Sequence, residues 1–309
     1  MYLARMGWPG IVLEGLTVVL ALTIALPRRA RVTAMRTTFL SRTHAYMDPS
    51  FVAAFDRDTR RMARLLGLMV LLGGTVTAVI ANRMDSRYPP PEVNIWLLSV
   101  PIVAVGLVIY PIVRLRTVHR LFRVPDHTTT VARPVQVTVS DYVGGWTRLL
   151  TWSMVATACA CTGVLVILAH GGRVDTLLAA ACAADAGLAV VLMVVTEWFG
   201  RALSSHPTPA VDASHLYLQD AWRAYLLSRA HTHVGYICHL LFYGLVFTFQ
   251  LPDWLYNSAG LLVVFALASA YPLLQFVQPR QFRRRLWRSL SPGEILYPGQ
   301  PVPSLEVGA

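Results

Sequence analysis

Lysine is missing from this chain of 309 residues: all 27 basic side chains are arginine. Charge of any kind is scarce, at 14% of residues, where a soluble domain carries roughly 25%. The shortfall leaves long uncharged runs, several of which reach the ~20 residues needed to cross a bilayer. That excludes an ordinary soluble globular protein. Cysteine is limited to Cys159, Cys161, Cys182 and Cys238, all inside apolar segments, which excludes a disulfide framework. Catalytic signatures are also missing. There is no Walker A loop, no GxSxG elbow, no HExxH and no dinucleotide fingerprint. Neither an enzyme activity nor a cofactor is therefore implied.

What is present is apolar surface: 55% of residues are hydrophobic and the mean hydropathy is +0.51. Seven segments are long and apolar enough to span, at about 9–26, 65–82, 95–113, 149–169, 176–198, 234–250 and 255–277. The expected fold is an all-α integral membrane protein of seven transmembrane helices. Residues 1–309 form a single polytopic membrane domain, ending in a basic and then proline-containing tail, 278–309. Arginine for lysine with abundant Ala and Val suggests an actinobacterial-like composition, and hence a bacterial plasma membrane.

The arginines set the orientation. All but Arg5, Arg83, Arg87 and Arg173 fall between the first and second, third and fourth or fifth and sixth spans, or in the tail. The positive-inside rule then places the N-terminus outside and the C-terminus in the cytoplasm. The same placement explains the net charge of +11 without nucleic acid, and suits anionic lipid headgroups. Trp8, Trp96 and Trp254 mark outer ends of spans, and Trp146, Trp152 and Trp198 inner ends. The first span resembles a secretory signal only superficially: its arginines follow the apolar run, so it reads as a retained span.

The chain reads as one span followed by three units, each a long cytoplasmic segment and then a hairpin. Tyr110-Pro111 and Tyr271-Pro272 recur at corresponding places, and a histidine precedes an acid at one spacing in His44/Asp58, His127/Asp141 and His206/Asp220. Proline near a span end favours a kink, so Pro111 and Pro272 are candidate hinges. The cytoplasmic segments are expected to hold short interfacial helices. One starts at Asp48-Pro49, an N-cap followed by proline at the first helical position, with Phe51, Val52, Phe55, Met62 and Leu66 at helical spacing. Asp141 and Asp220 could cap two others, the second carrying Trp222, Tyr225 and Leu226. Val135–Val139 alternates as a short strand would.

The candidate site lies in the fifth span, where Asp185 interrupts an apolar, small-residue run; a carboxylate at that depth needs a partner or a function. The rows Ala179-Ala183-Gly187 and Ala180-Ala184 suggest close packing in the bundle interior. Helical rise places Cys182, Cys238 and His239 in the same layer as Asp185. Three chemistries suit them: a structural hydrogen bond, a polar relay for a proton, cation or small solute, or a soft-metal site with Cys159 and Cys161. Metal is disfavoured because Cys159 and Cys161 face nearly opposite ways on a helix. Glu14 in the first span is a further candidate polar group. Glu197 is expected to pair with Arg201 at the interface, and His231 and His233 to lie on the surface.

Two functions follow as expectations. The first is a non-enzymatic scaffold or accessory subunit whose arginine-rich cytoplasmic segments bind a protein partner, a second copy of the chain or anionic lipid. The alternative is a small-solute, proton or cation permease using Asp185 and His239.

Overall fold

The computed structural model describes residues 18–19, 22–23, 26, 29–84, 122, 137–172, 176–205, 209–248, 279–291 and 293–300. The expected third and seventh spans lie outside the described residues. Every regular element among them is a helix: α1 (Arg29–Thr43), α2 (Pro49–Met84), α3 (Val139–Tyr142), α4 (Gly145–His170), α5 (Thr176–Ser205), α6 (Ala213–Thr248) and α7 (Pro279–Leu286). Two of them, α4 and the Cys182–Ser204 portion of α5, are long and apolar enough to cross a membrane.

Helix α4 shows why. Thr147, Thr151, Met154, Val155, Ala158, Thr162, Leu165 and Ala169 are buried at spacings of three and four, one stripe of a helix. The opposite face exposes Leu149, Val164, Val166 and Ile167, a surface suited to lipid and not to water. Trp146 and Trp198 stand exposed at the same end of the α4–α5 hairpin, where amphipathic rings anchor at an interface. Helices α4, α5 and the second half of α6 pack together around Met154, Val155, Leu192, Met193, Val234 and Cys238.

The arginine-rich connections do something the sequence pattern did not predict. Instead of lying separately on a membrane surface, they converge on the first half of α6 and bury their apolar faces there. From Ala213 to Gly235 every residue is buried except His215, Tyr225 and Arg229, which are half-buried. Phe39 of α1, Phe55 of α2, Tyr142 of α3, Phe122, and Phe282 and Trp287 at α7 join Trp222 and Leu226 in one aromatic core. Phe39 and Phe55 meet the Trp222 ring edge-on at 5.1 and 5.0 Å, a favoured geometry for aromatic pairs. Gly200 of α5 allows the close approach of α3, since a Cβ there would sit 3.1 Å from Val139 Cγ2.

Helix α2 begins at Pro49 as expected. Its exposed face changes character along its length. Arg57, Arg61 and Arg64 are exposed at helical spacing, and Leu65, Leu68 and Leu72 continue that exposed face. A single helix thus runs from the arginine-rich body into the apolar region, with the change at residues 64–65. The expected strand is not formed at its end: Val139 opens α3, while residues 135–136 lie outside the described residues.

The caps differ from expectation as well. Asp220 does not cap a helix; it lies inside α6. The N-cap is Asp212, whose Oδ1 accepts from the His215 N–H and the Ser214 hydroxyl, both at 2.8 Å. Asp220 is buried, and its carboxylate accepts from Tyr142 Oη and Trp287 Nε1, each at 3.0 Å. Tyr142 Oη in turn accepts from Arg223 Nη1 at 3.4 Å. Asp141 instead closes a four-residue helix, accepting from the Thr138 N–H at 2.8 Å. The acids of the second and third proposed units, Asp141 and Asp220, therefore occupy different settings.

Removing the Asp220 carboxylate takes an acceptor from two buried donors. Asp220→Ala should cost about 2–4 kcal/mol, read as a lowered unfolding midpoint of the detergent-solubilised protein. Acid should loosen the start of α6. Burial holds the His215 imidazole below its ordinary 6.5, and its Nδ1 must stay unprotonated to accept from the Val211 N–H at 3.2 Å. The unfolded chain takes up that proton first, so this contribution is complete above pH 6.5 and declines as pH falls toward the folded value. Burial alone would raise Asp212, but hydrogen bonds from the His215 N–H, the Ser214 hydroxyl and the Gly299 N–H hold it below 3.8; its contribution is lost only at still lower pH. Unfolding measured between pH 4 and 7 should show the upper slope, and His215→Gln should flatten it.

Candidate functional site

Asp185 sits on the buried face of α5 and is 1% exposed. Cys182, one turn before it, and Ala186 and Ala189, after it, are buried on the same side. Neither carboxylate oxygen has a hydrogen-bond partner among the described residues. The Thr162 hydroxyl on α4 is likewise buried without one among the described residues. A polar group left so in an apolar layer is costly.

Cys182 and Cys238 are both fully buried in the α4–α5–α6 cluster. His239 follows Cys238 on α6; its side chain lies outside the described residues. Glu14, Pro111 and Pro272 also lie outside the described residues. Cys159 is exposed and Cys161 half-buried, and no group of three metal-ligating side chains exists among the described residues.

The small-residue rows behave differently from expectation. Of Ala179, Ala183 and Gly187, only Ala179 is buried, and Ala180 and Ala184 are exposed. The packed face of α5 is offset by about one residue, running through Cys182, Asp185, Ala186, Ala189 and Met193. A helix small on every side gives no periodic signal for choosing its face.

A second polar centre ties the Trp146 and Trp198 end of the hairpin to α6. Arg148 Nε and Nη2 donate to Glu197 Oε1 and Oε2 at 2.8 and 2.9 Å, a side-on bidentate pair. His231 Nε2 lies 3.3 Å from Glu197 Oε1, and its Nδ1 lies 2.9 Å from the Leu227 carbonyl oxygen. Glu197 thus pairs with Arg148 across the hairpin, while Arg201, its expected partner, is exposed. His231 and His233 are buried, not on the surface. A cleft of about 390 Å³ opens beside the pair, lined in part by Thr138, Ser140, Arg148, Glu197 and Arg201. Only the antiparallel pairing of α4 with α5 brings Arg148 opposite Glu197, and their separation in sequence carried no signal of it.

Comparison with protein-family models, with curated proteins and with solved structures finds no match.

Arg148→Ala would leave Glu197 buried with His231 as its remaining partner among the described residues. The expected loss is about 2–3 kcal/mol, below the full penalty for breaking a buried pair because the Arg148 side chain is 30% exposed. Replacing both partners, as Arg148→Met with Glu197→Leu, should recover much of it. Unfolding midpoints of the two variants check the difference.

Proposed function

We propose that this chain is a bacterial plasma-membrane protein of seven spans, N-terminus outside and C-terminus inside, built as one span and three diverged hairpin repeats. Its role is that of a non-enzymatic scaffold or accessory subunit, engaging an acidic protein partner through the arginine-rich face on the cytoplasmic side. The observation that carries this is the helical body around α6. The long connections bury their aromatic residues in a common core and leave Arg29, Arg31, Arg57, Arg61, Arg64, Arg201, Arg284, Arg285 and Arg288 exposed on its outside. An ordered, cationic body joined to the membrane by continuous helices suits docking. The scarcity of charge elsewhere in the chain concentrates that field on one side.

A second reading, a permease for a proton, cation or small solute, is favoured by one observation: the buried Asp185 carboxylate without a partner among the described residues. Intramembrane acids of that kind are functional more often than chance allows.

Different substitutions separate the two. In the scaffold, Arg57→Gln, Arg61→Gln and Arg64→Gln combined should abolish a defined crosslinked adduct formed in native membranes, with folding unchanged. Asp185→Asn should leave that adduct intact. Should wild-type membranes yield no adduct, the scaffold role fails. In the permease, Asp185→Asn should eliminate ion or solute flux in reconstituted vesicles without preventing assembly, and absence of any flux in the wild type sinks that role.

A further inference from the structure

A cleft of about 650 Å³ lies on the helical body, lined by His44, Arg283, Arg284, Trp287, Arg288, Leu290 and Gly293. Its size falls within the range of small-ligand sites. Three arginines and one histidine line it, and among the described residues no carboxylate does. Like charges gathered in one concavity repel unless an anion joins them.

The cleft is also built. Arg283 Nη2 donates to the Ser291 and Glu294 carbonyl oxygens at 2.6 and 2.8 Å, and its guanidinium lies 5.9 Å from the Tyr217 ring centroid. That fixes the side chain in place. Its Nε and Nη1 are shielded from solvent with no acceptor among the described residues. Glu294, an acid beside it in the same turn, has its Oε2 taken by the Ser291 N–H at 2.7 Å. Gly293, at φ 86°, makes the turn that presents the two carbonyls, a conformation open mainly to glycine. His44, which also lines the cleft, follows the end of α1 at φ 53°. A residue with a Cβ pays about 1–2 kcal/mol for that left-handed backbone, and such strain collects at ligand sites.

We propose that this cleft binds a phosphate-bearing ligand, either a free phosphate or the headgroup of an anionic phospholipid, with Arg284 and Arg288 as its contacts and Arg283 as the fixed floor. Guanidinium groups match phosphate oxygens in bidentate geometry. The site does not depend on the scaffold role, because it requires only the geometry of the cleft.

The test uses the full chain in phosphatidylcholine nanodiscs at constant ionic strength. Calorimetric titration with inorganic phosphate and, separately, with water-soluble dihexanoyl phosphatidylglycerol should show saturable binding of at least one. Binding of phosphate identifies the free anion as sufficient; binding of the lipid alone identifies the headgroup. Arg284→Gln and Arg288→Gln should each weaken binding about tenfold or more, the loss of a charged hydrogen bond. Both side chains are exposed, so the unfolding midpoint should not move. Arg285 is exposed between them and does not line the cleft; Arg285→Gln should change affinity less than twofold. The proposal is overturned by absence of saturable binding to either probe, by unchanged affinity in Arg284→Gln and Arg288→Gln, or by an equal loss in Arg285→Gln.

Discussion

The carboxylate of Asp220 is the tie on which the helical body depends. It lies inside a helix that is buried on nearly every side, and a charge there must be met by donors. Two donors come from chain segments 78 and 67 residues away, the Tyr142 hydroxyl and the Trp287 indole. Each of those side chains is itself fully buried, so neither has water as an alternative. One acid therefore fixes the positions of α3 and the C-terminal segment against α6. Tyr217 adds a third tie, donating to the Thr43 carbonyl oxygen at 2.6 Å and so pinning the end of α1. The aromatic core supplies apolar area; these bonds decide which segment lies where.

From this body two helices continue into apolar territory without a break. Helix α2 passes from arginine to leucine along its exposed face, and α6 passes from the aromatic core to the cluster containing Val234 and Cys238. The Arg148–Glu197–His231 group sits where α4 and α5 meet α6, with Trp146 and Trp198 exposed close by in sequence. Polar groups inside and indole rings outside thus lie near one another along the hairpin. That is the arrangement expected where protein leaves the headgroup layer, since ion pairs need protein shielding and Trp side chains favour the interface.

Part of the plan was legible in advance, and the reason is length. A run such as 149–169 is too long and apolar to be anything but a spanning or deeply buried helix, and α4 forms there. The start of α2 at Pro49 was legible because capping is local chemistry between adjacent residues. Burial of Asp185 followed from its apolar neighbours in sequence. The failures share a cause. Trp222 and Leu226 were placed on an interfacial helix because they resemble the apolar face of one; nothing local says that Phe39, Phe55 and Trp287 arrive to cover them. Asp220 was read as a cap because acids often are, whereas Asp212 holds that place by the bonds it makes. On α5 the packed face could not be chosen, because alanine occupies every face.

By itself the sequence determined that this chain is helical and apolar, that its arginines gather in particular connections, and where several helices begin. Those properties depend on composition and on contacts within a few residues, which the order of residues states directly. The tertiary structure alone decided that the connections form one body, that Glu197 meets Arg148 and His231, and that three arginines and a histidine share a cleft. Each of these joins side chains tens to hundreds of residues apart. Their meeting is fixed by how whole helices pack, and a buried charge selects its partner only once that packing has brought the partner within reach.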